Sequence, residues 1–320
     1  MDVSILIISF NTRELTLACF RSVYEQTAGV EFEVVVVDNA STDGSAEAIR
    51  AAYPQVKLIA LETNIGFAGG NNLAARQANG EFLLLLNPDT VILDGAVQKA
   101  VGFAREHAEV GIVGGRTFSA DMRLDRNSCH GRPTPWSLFC MGMGLSSLMR
   151  KSALFNPESL GNWQRDSSRE VDAVTGCFLL IRRGLWDRLG GFDESFFMYG
   201  EDTDLCIRAW EAGSRCRICP EAKLIHYGGK SEKVRSDKMV KLFAAKAQLI
   251  RKHWKPGTAW FGIVMLELWA LSRMAVLEAA GLVGGSGQNS GAQWREVWRR
   301  RREFAAKSSH CRTLSSGQRL

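Results

Sequence analysis

Four apolar runs, each closed by polar or small residues, constrain this chain more than any other feature. They are "VSILIIS" (3–9), "FEVVVVD" (32–38), "VKLIAL" (56–61) and "FLLLLN" (82–87). Runs with little in/out alternation suit parallel strands, whose two faces are both covered by helices. Between them lie segments with helical spacing. Residues 12–26 place Leu15, Ala18, Cys19, Ser22 and Val23 on one side. Residues 41–53 read as a helix with Ser41 or Thr42 as N-cap, and 66–79 as a glycine loop that becomes a helix. A helix over 93–107 and a fifth strand over 110–115 continue the series. Alternating strands and helices with short links predict an α/β fold: a doubly wound, mostly parallel central sheet flanked by helices. Ligands of such sheets sit beyond the carboxyl ends of the strands. The strand ends here read "SFN", "VDNAS", "ETNIG" and "NPDT", all polar or small.

Beyond residue 115 the pattern loosens. Residues 116–170 are irregular, with Pro133, Pro135 and Pro157, and suit either a pocket-shaping insert or a structural connection. An apolar segment (171–183), a glycine–aromatic loop entering a helix at Glu201-Asp202, and two short strands around Pro220 follow. Residues 234–253 read as a helix. Residues 259–285 are apolar but interrupted by Glu267, Arg273 and Glu278. No uncharged stretch there reaches spanning length, so an amphipathic helix fits better than a transmembrane one. The N-terminal "MDVSILIISF" lacks the features of a signal peptide and is too short an apolar run to span a bilayer.

Charge separates a body from a tail. Residues 241–320 hold 14 Lys/Arg against 4 Asp/Glu, a balance of +10, and residues 1–240 hold 26 against 30, or −4. In "WREVWRRRREFAAK" (294–307), basic residues interleave with Trp294, Trp298 and Phe304. That pattern suits an anionic membrane surface. A solvated basic helix is the plainer alternative, and nucleic acid is disfavoured because no base-reading motif accompanies the charge. The eight cysteines form no paired framework. Cys216 and Cys219 make a lone CxxC that lacks a second zinc pair, so buried thiols are the expectation.

The candidate chemistry lies at the strand ends. Asp38 leaves a buried strand at its carboxyl end, where a carboxylate can accept from the N3–H of a uracil or thymine ring. It can equally serve an Asx-turn or a cap. "SFNTRE" after the first strand is not GxGxxG, which removes the nicotinamide-dependent oxidoreductase reading. In "GFAGGNN", Gly66, Gly69 and Gly70 allow close backbone approach or make a turn.

Taken in order, "SILIISFNTRE", "VVVVDNASTDGS", "NIGFAGGNN", "LLLLNPDT" and "FFMYGEDTDLCIRAWEAG" resemble the inverting glycosyltransferase family 2, and within it the bacterial rhamnosyltransferase-type branch. The resemblance covers roughly residues 3–230. It implies a GT-A fold over 1–230, with a nucleotide-sugar half (1–115) and an acceptor and catalytic half (116–230), followed by a helical, basic extension (231–320). It implies that Asp38 holds the base of a nucleoside-diphosphate sugar, that Phe10 packs on the base, and that Asn11, Asn39, Asn64, Gly66 and Asn87 lie around the nucleotide. It places a divalent cation, Mg²⁺ or Mn²⁺, on Asp89, with His226 as second ligand. Asn87 departs from the family's usual Asp, which leaves the site one carboxylate short. The general base falls on Asp202, with Glu201 and Asp204 as rivals. Glu201 and Tyr199 are candidate acceptor contacts. Of Phe196, Phe197 and Tyr199, two are expected in the core.

The implied activity is transfer of a sugar, with dTDP-L-rhamnose as the first expectation, to a hydroxyl of a glycolipid or polysaccharide. The implied place is cytoplasmic, peripheral on the inner membrane face through the tail. A sugar nucleotidyltransferase would want a basic, glycine-rich loop after the first strand. A non-catalytic glycan-binding chain would not need Asp89, Asp202 and His226 together.

Overall fold

The computed structural model describes residues 1–228, 235–282 and 288–305. The ends of the expected elements at 229, 234, 283–285 and 306–307 lie outside them. Two compact units emerge: Met1–Arg132, Trp163–Phe197 and Glu201–Ser231 form a sheet unit, and Pro133–Asn162, Met198–Gly200 and Glu232–Leu320 a helical unit.

The sheet unit contains eleven strands among its described residues: β1 (Val3–Ser9), β2 (Phe32–Asp38), β3 (Lys57–Ala60), β4 (Phe82–Leu86), β5 (Thr90–Leu93), β6 (Val110–Phe118), β7 (Cys129–His130), β8 (Arg169–Val171), β9 (Ala173–Val174), β10 (Phe178–Arg182) and β11 (Arg215–His226). Helices among the described residues are α1 (Arg13–Gln26), α2 (Ser45–Ala52), α3 (Gly66–Gln77), α4 (Ala96–Glu106), α5 (Pro135–Gly142), α6 (Leu145–Leu148), α7 (Arg183–Leu189), α8 (Glu201–Glu211), α9 (Arg235–His253), α10 (Pro256–Leu282), α11 (Gln288–Arg299) and α12 (Arg301–Ala305). The main sheet runs β3-β2-β1-β4-β10-β6-β11-β5, and β8 pairs with β11. Strands β1 to β4, β6 and β11 share one direction, while β5, β8 and β10 oppose it.

The apolar runs become the buried centre as expected. Every residue of β1 and β4 is buried. Odd positions of β1 (Val3, Ile5, Ile7) face the core built with Cys19, Phe20 and Val23 of α1, Ile49 of α2 and the alanines of α4. Helix α3 covers the other face of β1 and β2. A Cβ on Gly70 would lie 3.0 Å from Ile8.

Several expectations are corrected. Residues 90–93 were expected in a link and helix but form β5, which lies antiparallel to the end of β11. The apolar segment 171–183 holds the end of β8, then β9 and β10, and β10 inserts antiparallel between β4 and β6. The two strands around Pro220 are one strand with a register shift between Cys219 and Lys223. Pro220 has no N–H for the ladder, so the pairing slips there and the strand continues. Neither Ser41 nor Thr42 caps α2, which begins at Ser45 with Asp43 accepting from the Ser45 N–H at 3.1 Å. The irregular insert holds α5, closed by a Thr134–Ser137 capping box with Pro135 in its first turn.

The helical unit has its own core. Leu138, Phe243, Ala247, Ile250, Leu266, Ala270, Val297 and Phe304 are buried in it. The ring of Phe243 lies 5.0 Å from Trp269, 6.1 Å from Trp294 and 5.1 Å from Phe304. The three aromatics expected at a membrane surface therefore turn inward: Phe304 is buried, and Trp294 and Trp298 pack against this core.

Candidate active site

The site is assembled from the carboxyl ends of β1, β2 and β4, the start of α3, the start of α8 and the end of β11. In register, Ser9 of β1 lies beside Asp38 of β2. The loops beyond them are laced together. Asn11, at φ +52°, accepts from the Thr42 N–H at 2.8 Å and donates its own N–H to Ser41 Oγ at 2.9 Å. Asparagine tolerates this left-handed backbone better than most residues. Phe10, one residue earlier, is exposed. Asp38 is buried, and its Oδ1 accepts from the Ser41 N–H at 2.9 Å. Its Oδ2 is buried with no hydrogen-bond partner. An orphaned carboxylate oxygen is costly unless a donor arrives to fill it.

The asparagines nearby hold the loop. Asn39 accepts from the Ile65 N–H at 2.9 Å and donates to the Gly66 carbonyl at 3.1 Å. Asn64 accepts from the Gly66 N–H at 2.9 Å. Gly66 sits at φ +80°, and a Cβ there would lie 2.5 Å from the Phe197 carbonyl oxygen. The neighbouring Phe67 N–H donates to that same oxygen at 2.9 Å. The glycine thus lets the backbone before α8 close onto α3.

"NPDT" is a fixed turn. The Asn87 N–H donates to the Cys177 carbonyl at 3.2 Å, and the Asn87 carbonyl accepts from Thr90 Oγ1 at 2.6 Å. The Asp89 carbonyl accepts from the Tyr227 N–H at 2.9 Å, which ties the turn to the end of β11. That tie brings His226 Nε2 to 3.3 Å from Asp89 Oδ1 and 3.4 Å from Asn87 Nδ2. On its other side, His226 Nδ1 lies 3.6 Å from Asp125 Oδ2. Burial works against charge on the imidazole, but hydrogen bonds and attraction from Asp125 and Asp89 outweigh it and hold its pKa up at about 9. Burial likewise penalises the Asp125 carboxylate, yet His226 and Asn127 keep its pKa below the ordinary value.

At the start of α8, three acids have three environments. Asp204 is buried and paired with Arg208 Nε at 2.7 Å, and Arg208 also donates to the Leu189 and Gly191 carbonyls. Glu201 is buried, with Oε2 unpartnered. Burial, then the charge of Asp202, push its carboxyl pKa well up. Asp202 is partly exposed. Its Oδ1 accepts from the Thr203 N–H at 2.6 Å and its Oδ2 from the Gly176 N–H at 3.1 Å. Of Phe196, Phe197 and Tyr199, only Phe196 is in the core. Phe197 is exposed, and Tyr199, at φ +69°, is partly so.

A family model described as "Glycosyl transferase family 2" matches residues 4–189. The chain belongs to glycosyl transferase family 2. Within that family its relatives include rhamnosyltransferases. It is 44% identical over 179 residues to rhamnosyltransferase WbbL of Escherichia coli K12, covering 51% of this chain and 61% of that one. It is 28% identical over 212 residues to the N-acetylglucosaminyl-diphospho-decaprenol L-rhamnosyltransferase of Mycobacterium tuberculosis H37Rv, covering 62% and 67%. The match to the O-antigen biosynthesis protein RfbC of Myxococcus xanthus spans 71% of this chain but only 17% of that protein. Among solved structures, mannosyltransferase PcManGT from Pyrobaculum calidifontis, in complex with GDP-Man and Mn²⁺, superposes with TM-score 0.57 at 18% identity, covering 92% and 84%. GalNAc-T7 with UDP, GalNAc and Mn²⁺ gives TM-score 0.60 at 14% identity, covering 95% and 56%. The fold is the GT-A type that the motifs implied, and the chain is classed with the glycosyltransferase enzymes.

Asp125 escaped the sequence reading. It lies in the irregular insert, in "RLDRN", with no periodicity or motif to mark it. Among the described residues no group of three or more His, Cys, Asp or Glu side chains is spaced to enclose a metal. Asp89 and His226 meet as a pair, with Asp125 on the far nitrogen of the imidazole.

Proposed function

We propose that this family 2 enzyme transfers a sugar with inversion from a nucleoside diphosphate to a hydroxyl of a glycolipid or polysaccharide, with dTDP-L-rhamnose as donor. The approach of Asp89 Oδ1 to His226 Nε2 at 3.3 Å carries the reading. A carboxylate and an imidazole this close would together hold a divalent cation, Mg²⁺ or Mn²⁺. Asn87 adds a neutral side chain, and donor phosphates and water supply the remaining ligands. Bound there, the cation would neutralise charge on the departing diphosphate. His226 would hold the cation as the neutral imidazole. The buried Asp38 Oδ2 awaits a donor, and the ring N3–H of a thymine or uracil supplies one. Phe10 offers an exposed ring for the base to stack on.

Asp202 is the base. Asp204 is committed to Arg208 and burial pushes the Glu201 pKa well up, which leaves Asp202 as the accessible carboxylate. It takes the acceptor hydroxyl's proton as that oxygen bonds to the anomeric carbon. The bond to the diphosphate breaks on the opposite side. The two backbone N–H groups on its oxygens aim it. Glu201 and Tyr199 border the acceptor. The relatives' printed rhamnosyl activities support the choice of sugar, and the lipid-linked substrate in one name supports an acceptor at the inner membrane face.

A panel of nucleotide sugars, with and without Mg²⁺, tests this. Slow metal-dependent hydrolysis of a dTDP or UDP sugar is expected, lost in Asp202→Asn with donor binding intact. No binding of any such sugar would sink the reading, and full transfer by Asp202→Asn would remove Asp202 as the base.

A further inference from the structure

Behind Asp202 lies a titratable group that the mechanism above leaves unused. Thr203, the next residue on α8, is buried, and its Oγ1 lies 3.2 Å from Asp202 Oδ1 and 3.4 Å from His130 Nε2. His130 belongs to β7, which pairs antiparallel with β9. The same small sheet supplies another contact to the carboxylate. The Gly176 N–H that donates to Asp202 Oδ2 comes two residues after β9 ends, and α8 packs on β9. The Thr175 N–H donates to the Ser128 carbonyl at 3.0 Å, which ties that turn to the chain entering β7. His130 and Gly176 are thus carried on one short platform against the start of α8.

Counting hydrogens shows what this chain of groups can do. A carbonyl oxygen only accepts, so the 3.1 Å contact of His130 Nδ1 with the Gly131 carbonyl puts a proton on Nδ1. In the neutral imidazole the lone pair is then on Nε2, which faces the Thr203 hydroxyl. That hydroxyl has one hydrogen to give and can accept another. A proton can therefore enter at Asp202 and leave at His130, which is only partly buried and so has access to water. The elements packed on β7 are the 3₁₀ turn Arg126–Ser128, charged at Arg126, and β9, which is uncharged. Arg165 donates to the Arg126 and Cys129 carbonyls, and Asp172 accepts from the Arg132 N–H. On α8, Asp204 is paired with Arg208 and burial pushes the Glu201 pKa well up, so the carboxylate linked to His130 is that of Asp202.

We propose that His130 is a positioning residue for the base, acting through Thr203, and that it receives the proton the base removes. Asp202 Oδ1 takes the acceptor hydroxyl's proton. That proton passes to Thr203 Oγ1 as the hydroxyl's own proton passes to His130 Nε2. The carboxylate is restored, and both imidazole N–H groups then donate to oxygen, one to Thr203 and one to Gly131. The imidazole returns the proton to water once the product has left. An imidazole holds a proton more firmly than a carboxylate does, so the relay strengthens the base. This rests on the reading of Asp202 as the base.

The test is hydrolysis of dTDP-L-rhamnose by the full chain with Mg²⁺, in which water is the acceptor. Thr203→Val and His130→Gln should each lower kcat at least about tenfold, with the donor KM within about twofold of wild type. Thr203→Ser keeps the hydroxyl and should keep the wild-type kcat. Should Thr203→Val melt early, Thr203→Ala gives the same reading. A protonated His130 cannot receive, so wild-type kcat should fall as pH drops through the imidazole range. In His130→Gln that limb should move to lower pH, into the carboxylate range. The relay is overturned if Thr203→Val and His130→Gln hydrolyse the donor like wild type, if the limb stays in place in His130→Gln, or if Thr203→Ser is as slow as Thr203→Val. An inactive Asp202→Asn beside any of these results would leave the transferase reading standing. No hydrolysis by wild type, or full hydrolysis by Asp202→Asn, would remove the base and the relay together.

Discussion

Three neighbouring acids on α8 show how the environment of a residue, rather than its identity, sets its role. Glu201 has a carboxyl pKa raised well above the ordinary value by burial and by Asp202. In the unfolded chain it ionises above about pH 4.5, whereas in the fold burial and Asp202 make it hold its proton to higher pH. Stability is therefore full below that pH and falls as pH rises towards the folded pKa. Glu201→Gln should flatten this loss, so that the variant gains on wild type between pH 4.5 and pH 7 in urea unfolding. An unchanged slope would show that Glu201 ionises freely. Asp125 gives a second test. It holds the far nitrogen of His226, and orienting partners of this kind commonly contribute 10- to 100-fold to metal affinity. Asp125→Asn should weaken Mn²⁺ binding about tenfold by calorimetry, and unchanged affinity would reduce the contact to packing. The motifs marked Asp38, Asp89, Asp202 and His226 in the sequence. Nothing marked Asp125, because its partner is a hundred residues away in the chain.

Among the elements, those with a local cause were legible and those with a distant one were not. The four apolar strands and α1, α3 and α4 follow from composition and spacing within each segment. β5 and β10 were missed because their pairing, antiparallel to β11 and to β4 and β6, is a long-range event. The start of α3 combines the two cases. Gly66 reads as a loop glycine, but its packing reason is the Phe197 carbonyl. Gly66→Ala meets both a positive φ and a backbone clash, so a loss of about 2–3 kcal/mol is expected in chemical denaturation. A loss under about 0.5 kcal/mol would show that the α8 approach is readily adjusted.

For the whole molecule, the described residues place one core in the sheet unit and another in the helical unit. The sheet unit holds the candidate chemistry, and the helical unit is built around Phe243 and its aromatic neighbours. Phe243→Ala should cost about 3–5 kcal/mol in the helical unit, seen as an early tryptophan transition, while nucleotide-sugar binding persists. Simultaneous loss of binding would show that the cores unfold as one. The amino-acid sequence was enough to establish a doubly wound sheet and the family, because apolar period and turn chemistry are local. Which side of a helix is covered is not local. Composition made α11 look like the surface helix, and packing set its aromatics against the helical core. Likewise only the fold set His226 between Asp89 and Asp125, since strand pairing fixes which distant side chains converge.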